Sequence, residues 1–599
     1  MAQPVVFGRR AVHPAIVVAL VGLPFLITLL ALSSKHWIPV LDLAMTDFRV
    51  RDVGTSHTPL IGLPGRIGSD VNPGSHPGPL SFYVLAPLYR LFGQHSFTLL
   101  LGSGLIQFAA AIGFVAVVWR IAGRRVGIAA TAAIVILMHS YGPSFLTQPW
   151  NPYLPLLSWA LVLVCVWGVL SGHPRLMAVI AVVASLCAQT HVPYVGISLG
   201  LAVLAAGGLI VNVIREKDID RRVDAVQWGV WSVIIAALLW VPPVVDQVLH
   251  KPGNLRILTD YFRHPTQKAI GLGGGIKLML RHFDVFRLLL GARFDVGNLF
   301  LGTVFFLLWV ATVVAAFQMR HWLLVRLHIV VAWAVVLGMY SLGRIFGQVW
   351  YYLSLWAWGI ATVAFLAAAW TIWCWVRLYQ PKIAVMANRH LTLATFMIAV
   401  LATLACTIES SHVTAPEQSI GAPVGHLIDP TIKAISLNQA GAQGKRGTYL
   451  VTWEDSYFLG SQGYALLDEL ERRGYHVGTI ALRSAQVTPH RVLNPAKAAT
   501  NIVLAVGHSI DDVAARPGAL KITSFDQRTA AQIVEYNRLH DQVVKELLAA
   551  HKDALVPLVD ENLFQLGNDA TVAKATATKL HRMSELGLPV AVFFVPIAA

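Results

Sequence analysis

The stretch PAIVVALVGLPFLITLLALSSKHWIPVLDLAMTDFRVRDV, residues 14–53, decides the fold of this chain. Its first part, 14–34, is an uncharged apolar run of about 20 residues, long enough to cross a hydrocarbon core about 30 Å thick. Backbone groups in lipid find no water to bind, so a helix, which satisfies its own, is the expected form. The second part changes character. From Leu41 to Val53, Asp42, Asp47, Arg49, Arg51 and Asp52 are interspersed with Leu43, Phe48 and Val50. That pattern predicts a short amphipathic helix at the membrane interface, apolar residues toward lipid or protein and charged residues toward a wet surface.

Runs like the first recur as far as residue 409. Spans are read near 14–34, 97–119, 126–143, 154–171, 175–191, 194–214, 227–246, 298–317, 323–343, 349–370 and 391–409. Composition agrees: of 599 residues, 56% are hydrophobic and 13% charged, where a soluble domain carries about 25% charge. The net charge of +15 invites a nucleic-acid reading, but the cations mark the connections between spans. With Arg9 and Arg10 in the cytoplasm, the cytoplasmic connections hold Arg120, Arg124 and Arg125; Arg175; Arg215, Lys217, Arg221 and Arg222; Arg320 and Arg326; Arg377, Lys382 and Arg389. This is the positive-inside distribution, and it predicts a multi-pass plasma-membrane protein with no nucleic-acid partner. About eleven spans send the C-terminal part to the external, periplasmic face. The first run is too long for a cleaved signal peptide and lacks its small-residue site. Cys165, Cys187, Cys374 and Cys406 all fall inside spans, so no disulfide framework and no Cys/His metal spacing is expected.

The external segments hold the unusual residues. The loop 35–96 continues past the charged helix into a Gly/Pro/Ser-rich stretch, then a second interfacial helix expected from Pro79 to Phe92. Other segments carry QPWNPY at 148–153, QTHVPY at 189–194, and DQVLHKPGNLRILTDYFRHP at 246–265. The glycine run Gly271 to Gly275 reads as a flexible loop, since no strand precedes it and no Lys-Ser/Thr follows as a P-loop needs. SLGRIFGQVWYY, 341–352, adds Arg344 and a cluster of aromatics. After about residue 410, charge rises and hydropathy falls. Strands are expected at 448–453, 475–481, 501–507 and 589–595, with helices at Leu459–Arg473 and 527–550. Alternation of this kind predicts an α/β layer domain. The fold expected is thus a polytopic α-helical membrane protein, 1–409, with an external α/β domain, 410–599, and a candidate active site in the loop 35–96.

The strongest chemical signal is the pair Asp42 and Asp47 just beyond the first span. An aspartate there suits a general base that deprotonates a hydroxyl attacking a sugar's anomeric carbon. The bland reading is an acidic helix face, with Asp47 pairing to Arg51 at i,i+4. LDLAMTDFRV, followed some thirty residues later by HPGPLSFYVLAPLYRLFG, resembles the first external loop of GT-C superfamily membrane glycosyltransferases. In protein O-mannosyltransferases and aminoarabinose transferases, an acidic motif follows the first span and a His-Pro-Pro-Leu-type motif leads into an interfacial helix. Here His76-Pro77-Gly78-Pro79-Leu80 takes the second place with one glycine inserted. The span count and outer domain also resemble actinobacterial cell-wall glycosyltransferases.

The resemblance implies a polyprenyl-phosphate sugar donor, a cell-envelope glycan, glycolipid or protein acceptor, and inverting transfer on the external face. Asp42 matches the family's catalytic acid. The adjacent second acid is absent because Leu43 stands there, so Asp42 and Asp47 both remain candidates, Asp42 favoured by position. His76 is expected to hydrogen-bond donor phosphate or to cap the helix after it. Arg344 suits phosphate through its planar fork or anchors the interface with Tyr351 and Tyr352; Arg256 and Arg263 share that ambiguity. His191 lies at a span end, and Asn151 sits in a turn composition that is also a candidate substrate contact. Paired aspartates suit a divalent cation, although no spacing demands one and no cofactor is certain. Two readings of other classes stand beside this one. A transporter or flippase would need ionisable groups near the bilayer midplane, and Asp246 is the nearest to that. A non-catalytic glycan-binding protein would use the outer domain, with Trp453, Glu454 and Asp455 at a strand end.

Overall fold

A computed structural model describes residues 13–68, 73–455, 459–569 and 571–597, without the side chains of 387–389. Arg9, Arg10 and the side chain of Arg389 lie outside the described residues. The chain forms two compact units, each assembled from separate stretches. The first comprises Met1–Leu32, Leu60–Val84 and Leu100–Val413; the second comprises Ser33–Pro59, Leu85–Leu99 and Thr414–Ala599. The loop 35–96 is therefore divided between them.

The first unit is helical. Among the described residues, eight helices are long and apolar enough to cross a membrane: Pro14–Ser33, Phe97–Tyr141, Tyr194–Arg215, Ile219–Leu239, Leu299–Gln318, Trp322–Gly343, Trp356–Tyr379 and His390–Ser411. The stretches read as spans at 97–119 and 126–143 form one element of 45 residues, broken at Gly123, whose φ is 79°. Leu156–Leu170 and Leu176–Thr190 have 15 residues each, which at 1.5 Å per residue reach only about 22 Å. Leu156–Leu170 is apolar on every face, and all but its last residue are buried in the protein; a helix apolar all round belongs inside. Its Trp159 meets Tyr194 and Trp356 edge-on, and its Trp167 donates to the Leu323 carbonyl at 3.0 Å. The four cysteines are free, as their placement predicts.

The glycine run is not a loop. Gly271–Arg281 is a helix, and its glycines allow backbones to touch: a Cβ on Gly275 would lie 2.2 Å from the Met339 carbonyl oxygen and 2.5 Å from the Gly343 nitrogen. Small residues at helix contacts are how membrane helices approach closely. A sequence pass tuned to phosphate loops misses this, because the partner helix is distant in the chain.

The second unit carries a five-stranded sheet. Its strands, numbered after the hairpin β1 (Pro64–Gly68) and β2 (Pro73–Ser75) of the first unit, are β3 (Thr448–Glu454), β4 (His476–Gly478), β5 (Thr500–Val506), β6 (Leu520–Phe525) and β7 (Val590–Val595), in the order β4-β3-β5-β7-β6. β3 runs parallel to β4 and β5, while β7 is antiparallel to β5 and β6. β5 and β7 are continuous β-branched and apolar runs, the composition of strands covered on both faces, and both are almost wholly buried. The α/β expectation holds, with two differences. β4 is only three residues long, and β6, LKITSF, escaped notice because its half-exposed edge position leaves little apolar signal.

Candidate functional site

Leu41–Asp52 forms the helix expected after the first span. Val40 enters it extended, and Leu41 takes a left-handed φ of 45°, an unfavourable conformation for a leucine. Asp42 follows in the first turn, where a carboxylate complements the helix dipole. The expectation of a wet charged face is overturned. Asp47 is 0% exposed, and Arg49 and Asp52 are 5% each. The reason is a protein partner: the charges face helix Ser461–Arg472 and the turns after it rather than water.

Asp47 is saturated. Oδ1 accepts from Arg51 at 2.8 Å and from the Tyr89 hydroxyl at 2.5 Å; Oδ2 accepts from Arg472 at 2.9 Å. Arg51 also donates to Asp468 at 2.6 Å, and Arg472 to Asp468, Ser96 and Glu469. On another side of the helix, Arg49 donates to the carbonyls of Ala485 and Gln486 at 2.7 and 2.8 Å. Arg491 grips both oxygens of Asp52, at 2.7 and 2.8 Å, and both of Glu471. Burial alone would raise Asp52, but hydrogen bonds from His490 and Arg491 outweigh it and hold the carboxyl below its usual value. Burial, then the charge of Arg491, pulls Arg49 down to about 10.

Asp42, on the first turn of the same helix, is half-buried. Its charge is felt by Arg49, Tyr464 and Glu417. Glu417 begins helix Gln418–Ser436 with a left-handed φ of 49° and does not cap it. Packing brings it there: Trp37 donates to the Pro416 carbonyl at 2.9 Å, and Gly421 lies so close to the Ile38 carbonyl that a Cβ would sit 2.5 Å from it. The Glu417 side chain still reaches solvent. Crowding by surrounding protein, and then the Asp42 carboxylate, push its carboxyl above the usual value. Tyr464, buried beside Arg483, is pushed up by burial, with Asp42 and Asp455 acting the same way. Glu417, Tyr464, Arg472 and Arg491 carry no sequence signal that ties them to the site. Each lies hundreds of positions from Asp42, and only the i,i+4 spacing of Asp468 and Arg472 is a local sign.

The remaining candidates belong to the first unit. His76 is 7% exposed, and its Nδ1 accepts from the Val192 amide at 3.2 Å rather than capping the next helix. Burial lowers it to about 4, so it is a neutral hydrogen-bonding group at pH 7. His191 meets it edge-on at 5.1 Å. The inserted Gly78 has a packing reason: its amide donates to the Gln189 carbonyl, and a Cβ would fall 2.3 Å from Gln189 Oε1. Asn151 is buried in a turn after Trp150. The Tyr351 hydroxyl lies 2.6 Å from that of Tyr153, and its ring meets Phe294. Arg344 donates to the Phe262 carbonyl and lies over the Phe346 ring at 5.0 Å. Arg256 pairs with Asp260 at 3.6 Å, both side chains mostly in solvent. Asp246 is spent on its own connection, accepting from the Asn254 amide at 2.9 Å and meeting His250 at 2.8 Å. Among the described residues, no group of three or more His, Cys, Asp or Glu side chains is arranged to hold a metal ion.

No family model matches the sequence, and no curated protein matches it. Several solved structures are similar to this chain. ArnT from Cupriavidus metallidurans, solved with undecaprenyl phosphate, is 14% identical over 85% of this chain and 96% of its own, with a TM-score of 0.47. The oligosaccharyltransferase AglB from Archaeoglobus fulgidus, in complex with an inhibitory peptide and a dolichol-phosphate, is 10% identical over 82% of this chain and 69% of its own, TM-score 0.40. An Archaeoglobus fulgidus oligosaccharyltransferase solved with Zn and sulfate is 10% identical over 81% and 68%, TM-score 0.38.

Proposed function

We propose that this chain is a membrane glycosyltransferase that moves a sugar from a polyprenyl-phosphate donor to a hydroxyl of a cell-envelope acceptor, with Asp42 as general base. The observation that carries the reading is Asp42 itself. It is a half-buried carboxylate on the first turn of the helix that follows the first span, entered through a left-handed residue.

In the proposed reaction, the acceptor hydroxyl gives its proton to Asp42 as its oxygen attacks the anomeric carbon. The bond from that carbon to the donor phosphate breaks, the phosphate leaves as an anion without needing a proton, and the anomeric centre inverts. Asp47 suits the base's task less, because two guanidiniums and a phenol already donate to it and hold it as a buried ion-pair partner. In the first unit, Arg344, His76, His191, Asn151 and Tyr351 are assigned to substrate binding. His76 acts there as a neutral hydrogen-bonding partner, since burial keeps it uncharged. The distribution of cations between spans supports a cytoplasmic N-terminus and transfer on the opposite face.

The test is transfer from radiolabelled polyprenyl-phosphate sugars by the full chain in nanodiscs. Asp42→Asn is expected to lose transfer by a factor of about 100 or more while retaining donor binding. Wild-type turnover in both Asp42→Asn and Asp47→Asn would sink the reading.

A further inference from the structure

Arg472 is the point at which all three stretches of the second unit meet. Its guanidinium donates to Asp47 from the first stretch, to Ser96 from the second, and to Asp468 one turn back on its own helix. Its side chain is 14% exposed and the two aspartates are 0% exposed, so these bonds form out of water. Arg51, one turn beyond Asp47, repeats the contact by donating to Asp47 and Asp468 together. Arg49 and Asp52 are held on another side by the Ala485 and Gln486 carbonyls and by Arg491. Helix Leu41–Asp52 is therefore gripped on two sides, which fixes its rotation about its own axis as well as its position along it.

Rotation matters to Asp42 because a side chain stands about 5–6 Å from the helix axis. A turn of about 10° would carry its carboxyl about 1 Å, and a misplacement of that size costs a reaction about 100-fold. The helix has no side-chain cap at its entry, so the ion pairs further along it bear on its rotation.

We propose that Arg472 is a positioning residue for Asp42, locking through Asp47 the rotation of the helix that carries the base, and that this is what the C-terminal stretch contributes to turnover. The proposal rests on the glycosyltransferase reading for its consequence, though the lock itself can be measured without any reaction. Arg472 touches no substrate and acts only through the helix.

The experiment uses the full chain in nanodiscs and compares wild type, Arg472→Met, Arg472→Lys and Arg473→Met. Arg473 is the neighbouring control, 43% exposed and paired with Asp429. Two readouts are taken: hydrogen exchange of amides 41–52, and kcat and KM for a polyprenyl-phosphate sugar. Arg472→Met is expected to speed exchange across 41–52 at least tenfold and to lower kcat about 100-fold with donor KM unchanged. Arg472→Lys, which keeps the charge, recovers part of both, and Arg473→Met changes neither. Unchanged protection of 41–52 in Arg472→Met overturns the proposal, whatever the activity. Loss of folded protein in Arg472→Met, with wild-type kcat and protection in what remains folded, overturns it as well by making the role purely structural. A wild-type chain that transfers no sugar counts against the glycosyltransferase reading alone, because the exchange data still judge the lock.

Discussion

Asp42 and Asp47 share one short helix, yet their surroundings give them opposite work. Asp47 sits at the centre of two guanidiniums and a phenol, with no exposed surface. Removing it strands Arg51 and Arg472 in a buried site, and breaking a buried ion pair from one side costs about 3–5 kcal/mol. Asp47→Ala is therefore expected to destabilise the second unit by that amount, read as a lower unfolding midpoint of the whole chain, while Asp42→Asn stays within about 1 kcal/mol of wild type. Equal midpoints for the two variants would show that the cluster around Asp47 does not hold the unit together. In sequence, the two aspartates are hard to tell apart. The i,i+4 pair of Asp47 with Arg51 is visible there and is present, but the second partner that buries it, Asp468, is 417 positions away from Arg51.

At the scale of elements, what could be read early followed from periodicity and length, and what could not depended on partners. The first span, the charged helix after it, the interfacial helix Leu80–Leu91 and the buried strands β3, β5 and β7 are where their apolar patterns place them. The glycines of Gly271–Arg281 were misread because close backbone contact leaves no mark in a local window. Within that helix, glycines differ sharply. Gly275 meets the Met339 carbonyl and the Gly343 backbone, whereas a Cβ on Gly273 would meet nothing within 4 Å. Gly275→Ala is expected to separate the two helices and lower the chain's thermal stability in detergent, since backbone atoms cannot step aside. Gly273→Ala is expected to stabilise it by about 0.5–1 kcal/mol, because alanine gives up less freedom on entering a helix. Similar unfolding temperatures for both would mean the contact at Gly275 is looser than the geometry shows.

At the scale of the whole molecule, stability responds to pH through the buried carboxyls of the second unit. Asp468 is pushed up to about 7, first by burial and then by the charge of Asp47, against the pull of Arg472 and Arg51. Tyr89, Glu469 and Ser96 complete its surroundings. A carboxyl raised in the folded state favours that state while protonated. Its contribution is full below its ordinary value of 3.8 and is lost as pH climbs to about 7. Asp52 and Glu471, held low, behave oppositely and weaken the unit only in acid. Between pH 5 and 8, wild type should therefore lose thermal stability relative to Asp468→Asn; parallel profiles would refute this assignment. The division of the second unit among three stretches has one more consequence, for synthesis. Helix Leu41–Asp52 leaves the ribosome long before Arg491, its partner 439 positions on. At roughly 5–20 residues per second, that interval is about 20–90 s. For that time a newborn segment bearing five charges has only its own Asp47–Arg51 pair and lacks its distant partners, and a factor that shelters nascent chains has a defined window in which to act.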